Sequence, residues 1–411
     1  MVRGISLTPE WLGWAKRIEQ TALEAGLTFF EVVFESLPAC DVNAMAAYGG
    51  FSERYASWRF GMNFERLQKG YSYGFSKIYE LVINGDPTLA YLVTSNSLME
   101  QKLVMAHVFG HADFFRNNVW FSASERHMVS RMSDHSQRLA AHSEEHGKET
   151  VERFMDRALA LDTLLDPYLP QRKKWAGEQG LHSSFDILGF LERRAPLRDW
   201  QRECLSVVRD EAYYFLPQRQ TKIINEGWAC YWHCRILTGG ILNDTEIVDF
   251  AETHAGATAS SGGALNPYKL GLELFRHAER QGLDLFDLRR KHNDLSMVDD
   301  LVDEEFAKGS TYFMERAEKG QDWQEAKDEL LLGLSWCGGP QIEITRVDVP
   351  VGEKLVLLHH HDGRDLHEGD ARPLLNQLAS LWGARVSLQT RLQATEVTWT
   401  ATPDFQVPES A

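Results

Sequence analysis

Residues 103–115 read LVMAHVFGHADFF. The surrounding stretch NSLMEQKLVMAHVFGHADFFRNN follows the turn Asn84-Gly85-Asp86-Pro87 and the segment after it, and its apolar spacing predicts a helix. Helical positions i and i+4 share a face about 6 Å apart along the axis. His107 and His111 can therefore aim two imidazoles at one ion. The spacing is that of HExxH metal sites, but Val108 stands where such a protease carries glutamate and cannot act as a base. Two packed histidines on a buried helix are the plainer alternative.

A second stretch, NEGWACYWH, adds donors. Glu226 and His233 are two helical turns apart on one face, with Ala229 and Cys230 between them. A carboxylate and an imidazole presented this way could complete a site begun by His107 and His111. That would give the three protein ligands and one open position that catalytic zinc prefers. Cys230, His233 and Cys234 form a rival sulfur set, ranked lower because it lacks the paired two-residue knuckles of structural zinc sites. The span VRDEAYYFLPQRQTKIINEGW also brings Arg209, Glu211, Lys222 and Glu226 near one another in sequence, with Arg209 and Lys222 as candidate substrate-binding cations. A carboxylate partly buried among aromatic rings has its pKa raised toward the range useful for proton transfer, which makes Glu211 the favoured base. An ion pair with Arg209 or Lys222 is the alternative. His254, Asn266 and Tyr268 flank a glycine-rich loop that fits a substrate rim. That loop lacks the Gly-Lys-Ser/Thr of a phosphate loop. His359, His360 and His361 end an expected strand, where neighbours point to opposite faces, and read as surface or packing residues.

Working outward, Thr8-Pro9-Glu10 opens an amphipathic helix that stops at Gly26. Residues 27–80 alternate aromatic and polar residues with glycine pairs and read as a surface-wrapping or pocket-lining segment. Residues 122–166 are rich in charge and helix formers, so most of their histidines belong to solvated helix faces. Pro217 interrupts a helical stretch that resumes at TKIINEGWACYWHCRILTGG and closes on Gly239-Gly240. After residue 338 the composition becomes β-rich: QIEITRVDV, the turn VGEK and KLVLLHHH pair as a hairpin, a helix follows, and RVSLQT and ATEVTWTA are further strands. The expected architecture is mainly α: a large helical domain over 1–335 and a small C-terminal α+β domain over 336–411.

The whole chain of 411 residues carries a formal charge of -16, which would repel a polyphosphate backbone and argues against nucleic-acid partners. Five cysteines, an odd number thinly spread, suit reduced thiols better than a disulfide framework. The first twenty residues show no apolar signal region and no stretch approaches about 18 apolar residues, so neither export nor a membrane span is expected. The chain reads as cytoplasmic.

Several blocks resemble the stage V sporulation protein R (SpoVR) family: AYGGFSERYASWRFG, SKIYELVINGDPTLAYL, AHVFGHADFFRNN, DEAYYFLPQRQTKIINEGWACYWH, NPYKLG and LWGARVSLQT. His107, His111, Asp113, Asn117, Glu226 and His233 fall on family motif positions. The resemblance implies a cytoplasmic protein linked to spore cortex formation or, in non-sporulating bacteria, to stress responses beside a serine protein kinase. Two functions are compatible with these readings. One is a zinc hydrolase cleaving an amide in a peptide or cell-wall precursor, with His107, His111 and Glu226 on the metal and Glu211 or His233 moving the proton. The other is a regulator that binds a kinase or peptidoglycan enzymes without catalysis.

Overall fold

The computed structural model describes residues 2–72, 80–177, 181–259, 264–347, 354–393 and 395–403, which cluster into two compact units. The first comprises residues up to Asp134 together with Pro217–Leu334; the second comprises His135–Leu216 together with the residues from Ser335 onward.

In the first unit Thr8 accepts a hydrogen bond from the Trp11 amide and caps the helix Pro9–Glu24, as its sequence predicts. The helix Leu98–Asn117 begins with a reciprocal capping box between Ser97 and Glu100. From Val104 to Phe115 every residue of it is buried, so it is a central helix enclosed on all sides. Phe34, Phe109, Phe114, Trp228 and Phe275 are fully buried in its core, each contributing about 1.5–3 kcal/mol or more by leaving water.

The same unit contains a four-stranded sheet. Strands β1 (Val2–Ile5), β2 (Val32–Leu37), β3 (Glu80–Ile83) and β4 (Thr88–Val93) lie in the order β1-β2-β4-β3. β1 pairs with β2 and β2 with β4 in parallel, and β3 runs antiparallel to β4. This corrects the reading of residues 27–80 as a surface wrap: β2 and the helices Ala39–Ala47 and Trp58–Ser72 lie there. The strands are short, and the parallel partner of Val32 is Thr88, so no local pattern announces the pairing.

The second correction concerns Pro217. The helix Asp199–Gln220 runs through it and ends at Thr221, whose hydroxyl donates to the Pro217 carbonyl. Pro217 lies in the last turn, so the one backbone bond its missing N–H removes falls at the helix end and the preceding turns stay intact.

In the second unit β5 (Ile342–Val347), β6 (Lys354–His359), β7 (Arg385–Leu392) and β8 (Thr395–Ala401) form a sheet in sequence order. β5 and β6 pair antiparallel, as the expected hairpin requires, while residues 351–353 of its VGEK turn lie outside the described residues. β6 and β7 are parallel, connected by the helix Glu368–Trp382, which ends on Gly383 in the left-handed region. The expected mainly α fold with a small C-terminal α+β element is therefore observed. That element shares its unit with residues 135–216: the Ile344 amide donates to the Ser184 carbonyl at 2.8 Å, and Phe190 packs on Trp382 with centroids 5.4 Å apart. Among the described residues no helix is long and apolar enough to cross a membrane.

Candidate metal centre

Four helices of the first unit meet around one group of side chains. Leu98–Asn117 supplies His107 and His111; Lys222–Ile236 supplies Asn225, Glu226 and His233; Asp244–Ala257 supplies His254; and Pro267–Arg280 supplies Tyr268 in its first turn. Glycine lets them approach. A Cβ on Gly110 would lie 2.6 Å from the Ala229 Cα, and one on Gly227 would lie 2.2 Å from the Gly271 backbone.

Two buried aspartates hold this arrangement. Asp113 accepts from the Trp228 indole and the Thr28 amide, both at 2.8 Å, with Arg289 at 3.3 Å. Burial pushes its carboxyl up to about 6, against Arg289 and those hydrogen bonds. Asp294 accepts from the amides of Ile223 and Ile224 at 2.9 Å each, capping the helix that Thr221 leaves without a side-chain cap. Burial pushes Asp294 up to about 7, opposed by the two amides and reinforced by the charge of Glu226.

Glu226 Oε2 lies 3.4 Å from Nε2 of His107 and 3.4 Å from Nε2 of His111. These three ligand atoms all fall within 4.8 Å of one another. The separations are long for a charge-assisted hydrogen bond, typically about 2.7–2.9 Å. They match the edge, about 3.3 Å, of a tetrahedron whose nitrogen and oxygen corners lie roughly 2.0–2.1 Å from a central ion. Glu226 Oε2 is itself buried between the two imidazoles, a setting in which a cation would offset the cost of burying its charge. Burial pushes the Glu226 carboxyl up, but the charges and hydrogen bonds of His111 and His107 outweigh it and hold it well below the usual carboxylate range.

The rings are oriented from behind. The Nδ1 of His111 lies 2.9 Å from Asn225 Oδ1, an acceptor, so Nδ1 carries a proton and the ring turns its Nε2 toward Glu226. The Nδ1 of His107 lies 2.9 Å from Nδ1 of His233, and His233 Nε2 lies 3.0 Å from Nδ1 of His254. Burial, then the charges of His107, His254 and His111, hold His233 well below its ordinary pKa; burial and Arg276 lower His254. The ring of Tyr268 stacks on that of His107 at 6.1 Å.

The remaining residues singled out from the sequence are placed elsewhere. Val108 is fully buried in the apolar core. Glu211 belongs to the second unit and pairs with His135 at 3.3 Å, and Arg209, in the same unit, pairs with Asp186. Lys222 is exposed at the start of its helix. Asn266 caps its helix by accepting from the Lys269 amide and donates to the carbonyls of Ala257 and Ala259. Residues 260–263 of the glycine-rich loop lie outside the described residues. Cys230 and Cys234 fall in different ligand groups, the first with His107 and His233, the second with His233 and His254. His359, His360 and His361 have separate partners in Thr390, Glu343 and Asp365. Sequence reasoning missed Asn225, whose position beside Glu226 was the available signal.

Comparison with known proteins follows the same blocks. The family model for SpoVR like protein matches residues 8–184 and 173–329, and that for the SpoVR-like C-terminal domain matches 340–393. The chain is 31% identical over 293 residues to the uncharacterized protein YcgB of Escherichia coli (strain K12). That match covers 57% of this chain and 57% of the relative, so the chain spans little more than half the length of this curated relative. No solved structure matches the chain. With the histidine, EGW and C-terminal blocks all falling inside the matched residues, the chain belongs to the SpoVR-like protein family.

Proposed function

We propose that this chain is a zinc-dependent hydrolase of amide or peptide bonds, acting in the cytoplasm on precursors of the cell envelope or spore cortex. The observation that carries the reading is the single carboxylate oxygen of Glu226 equidistant, at 3.4 Å, from the Nε2 atoms of His107 and His111. Two imidazoles and a carboxylate with a fourth position open are a donor set suited to catalytic zinc. Zinc there would supply Lewis acidity to a carbonyl oxygen and make water acidic enough to attack near neutral pH. The chain's own residues orient the donors: Asn225 fixes His111, and His233 contacts His107. Glu226 keeps 17% of its side chain exposed, which leaves an approach to the otherwise buried donors. Tyr268, His233 and His254 are the proton-bearing groups on the His107 side.

Elemental analysis of untagged protein tests the site: near one zinc per chain, lost in His107→Ala and Glu226→Gln, is the expected result. Zinc-dependent release of an amine from peptide or muropeptide substrates tests the chemistry. One observation favours a second reading. The position that carries the base in HExxH enzymes is Val108, inside the core, and Glu211 is engaged by His135 in the other unit. A metal-stabilised regulator that binds a serine protein kinase or a peptidoglycan enzyme needs no base. Bound zinc with no hydrolysis of any amide tested, together with stoichiometric capture of such a partner, would establish it.

A further inference from the structure

We propose that His233 and His254 are positioning residues that set the tautomer of His107, so that the three rings switch together when the metal site fills. The inference rests on His107 being a metal ligand. A neutral imidazole has one proton and one lone pair on its two nitrogens. The contacts His107 Nδ1 to His233 Nδ1, 2.9 Å, and His233 Nε2 to His254 Nδ1, 3.0 Å, each hold one proton. Because His233 uses a different nitrogen in each contact, the direction of one bond dictates the direction of the other.

Only two arrangements of neutral rings satisfy both contacts. In the outward one, His107 donates from Nδ1 to His233, and His233 donates from Nε2 to His254. His107 Nε2 then presents a bare lone pair beside His111 Nε2 and Glu226 Oε2, ready for a metal. In the inward one, His254 donates to His233 and His233 donates to His107. The proton of His107 then sits on Nε2, facing the Glu226 carboxylate and blocking that nitrogen as a ligand. His111 has no such freedom, because the oxygen of Asn225 behind it can only accept. His107 is thus the variable ligand, and its state is set by two side chains outside the donor set of His107, His111 and Glu226. His254 carries that state to the helix Asp244–Ala257. The outer partners of metal-bound histidines orient the ring and raise its basicity, and losing one typically costs about 10- to 100-fold in metal affinity.

The test measures zinc affinity by chelator competition on the untagged full chain, with histidine-ring nitrogen NMR of the metal-free and zinc-loaded forms. We expect His233→Leu to weaken zinc binding by about 10- to 100-fold and His233→Gln, whose amide both accepts and donates, to recover most of that loss. We also expect the rings of His233 and His254 to exchange tautomer signatures on loading. Unchanged zinc affinity in His233→Leu, failure of His233→Gln to recover it, or ring signals that ignore zinc would overturn the proposal. Should His233→Leu fail to fold, His254→Ala, at the half-buried end of the line, supplies the same readout. Wild-type protein that binds no zinc, or keeps it in His107→Ala, would instead defeat the metal site itself and the relay with it.

Discussion

Gly110 and Ala229 are in backbone contact: a Cβ at Gly110 would stand 2.6 Å from the Cα of Ala229 and 3.1 Å from its Cβ. The donors of the two helices converge because nothing larger than hydrogen separates them there. Gly110→Val must push apart the helices that carry His107 and Glu226. Overpacking of this kind costs about 1–3 kcal/mol. The expected outcome is a lower melting temperature and loss of most bound zinc, read by thermal unfolding and elemental analysis. Retention of full zinc content would show that the helices adjust without separating the donors.

Asp294 is the acceptor for two buried amides at the start of the helix that carries Glu226. Asp294→Ala leaves both amides without a partner, at about 1–3 kcal/mol for each unsatisfied buried group. Asp294→Asn keeps one acceptor oxygen and should destabilise less. Chemical denaturation of the two variants would establish the order, and reversal of that order would argue against the capping role.

Lys102, almost wholly buried, donates to both oxygens of Glu246 at 2.7 and 2.9 Å and lies over the Trp14 ring at 3.7 Å. Burial raises the Glu246 carboxyl, but Lys102 and the Asn243 amide outweigh it and lower its pKa from the ordinary 4.5. A carboxylate whose folded pKa is depressed contributes stability above its unfolded value and loses it as pH falls through the folded one. The pair should therefore stabilise the protein above about pH 4.5 and progressively less below it. Glu246→Gln should flatten that part of the pH–stability curve. Lys102→Met should cost about 1–3 kcal/mol near neutral pH, less than a fully buried pair because Glu246 remains 13% exposed.

Glu211 and Glu226, both carboxylates of the same sequence neighbourhood, should behave oppositely toward metal. Glu226→Gln removes an anionic donor and should empty the site. Glu211→Gln disturbs a pair with His135 in the other unit and should leave zinc content intact. Elemental analysis of both variants separates them; loss of zinc in Glu211→Gln would count against this assignment.

Chelation should lower the melting temperature of the wild-type chain and leave Glu226→Gln unmoved. A ligand at 100 times its dissociation constant stabilises the folded state by about 2.7 kcal/mol, so calorimetry with and without chelator is sensitive enough to read the difference.

What the sequence determined by itself is local. The i, i+4 spacing of His107 and His111, the caps at Thr8 and Ser97 and the β-rich alternation after residue 338 are short-range patterns, and they specified the central helix and the C-terminal element. The pairing of Glu226 with the two histidines was inferable only as a possibility, because spacing along a helix says which face a side chain occupies and not what stands opposite. Tertiary structure decided the rest. Parallel pairing of Val32 with Thr88, contact of Gly110 with Ala229, and the line from His107 through His233 to His254 all join residues distant in the chain. It likewise gave Glu211 to His135, since residues fifteen apart along a chain that changes helix at Thr221 need not share surroundings.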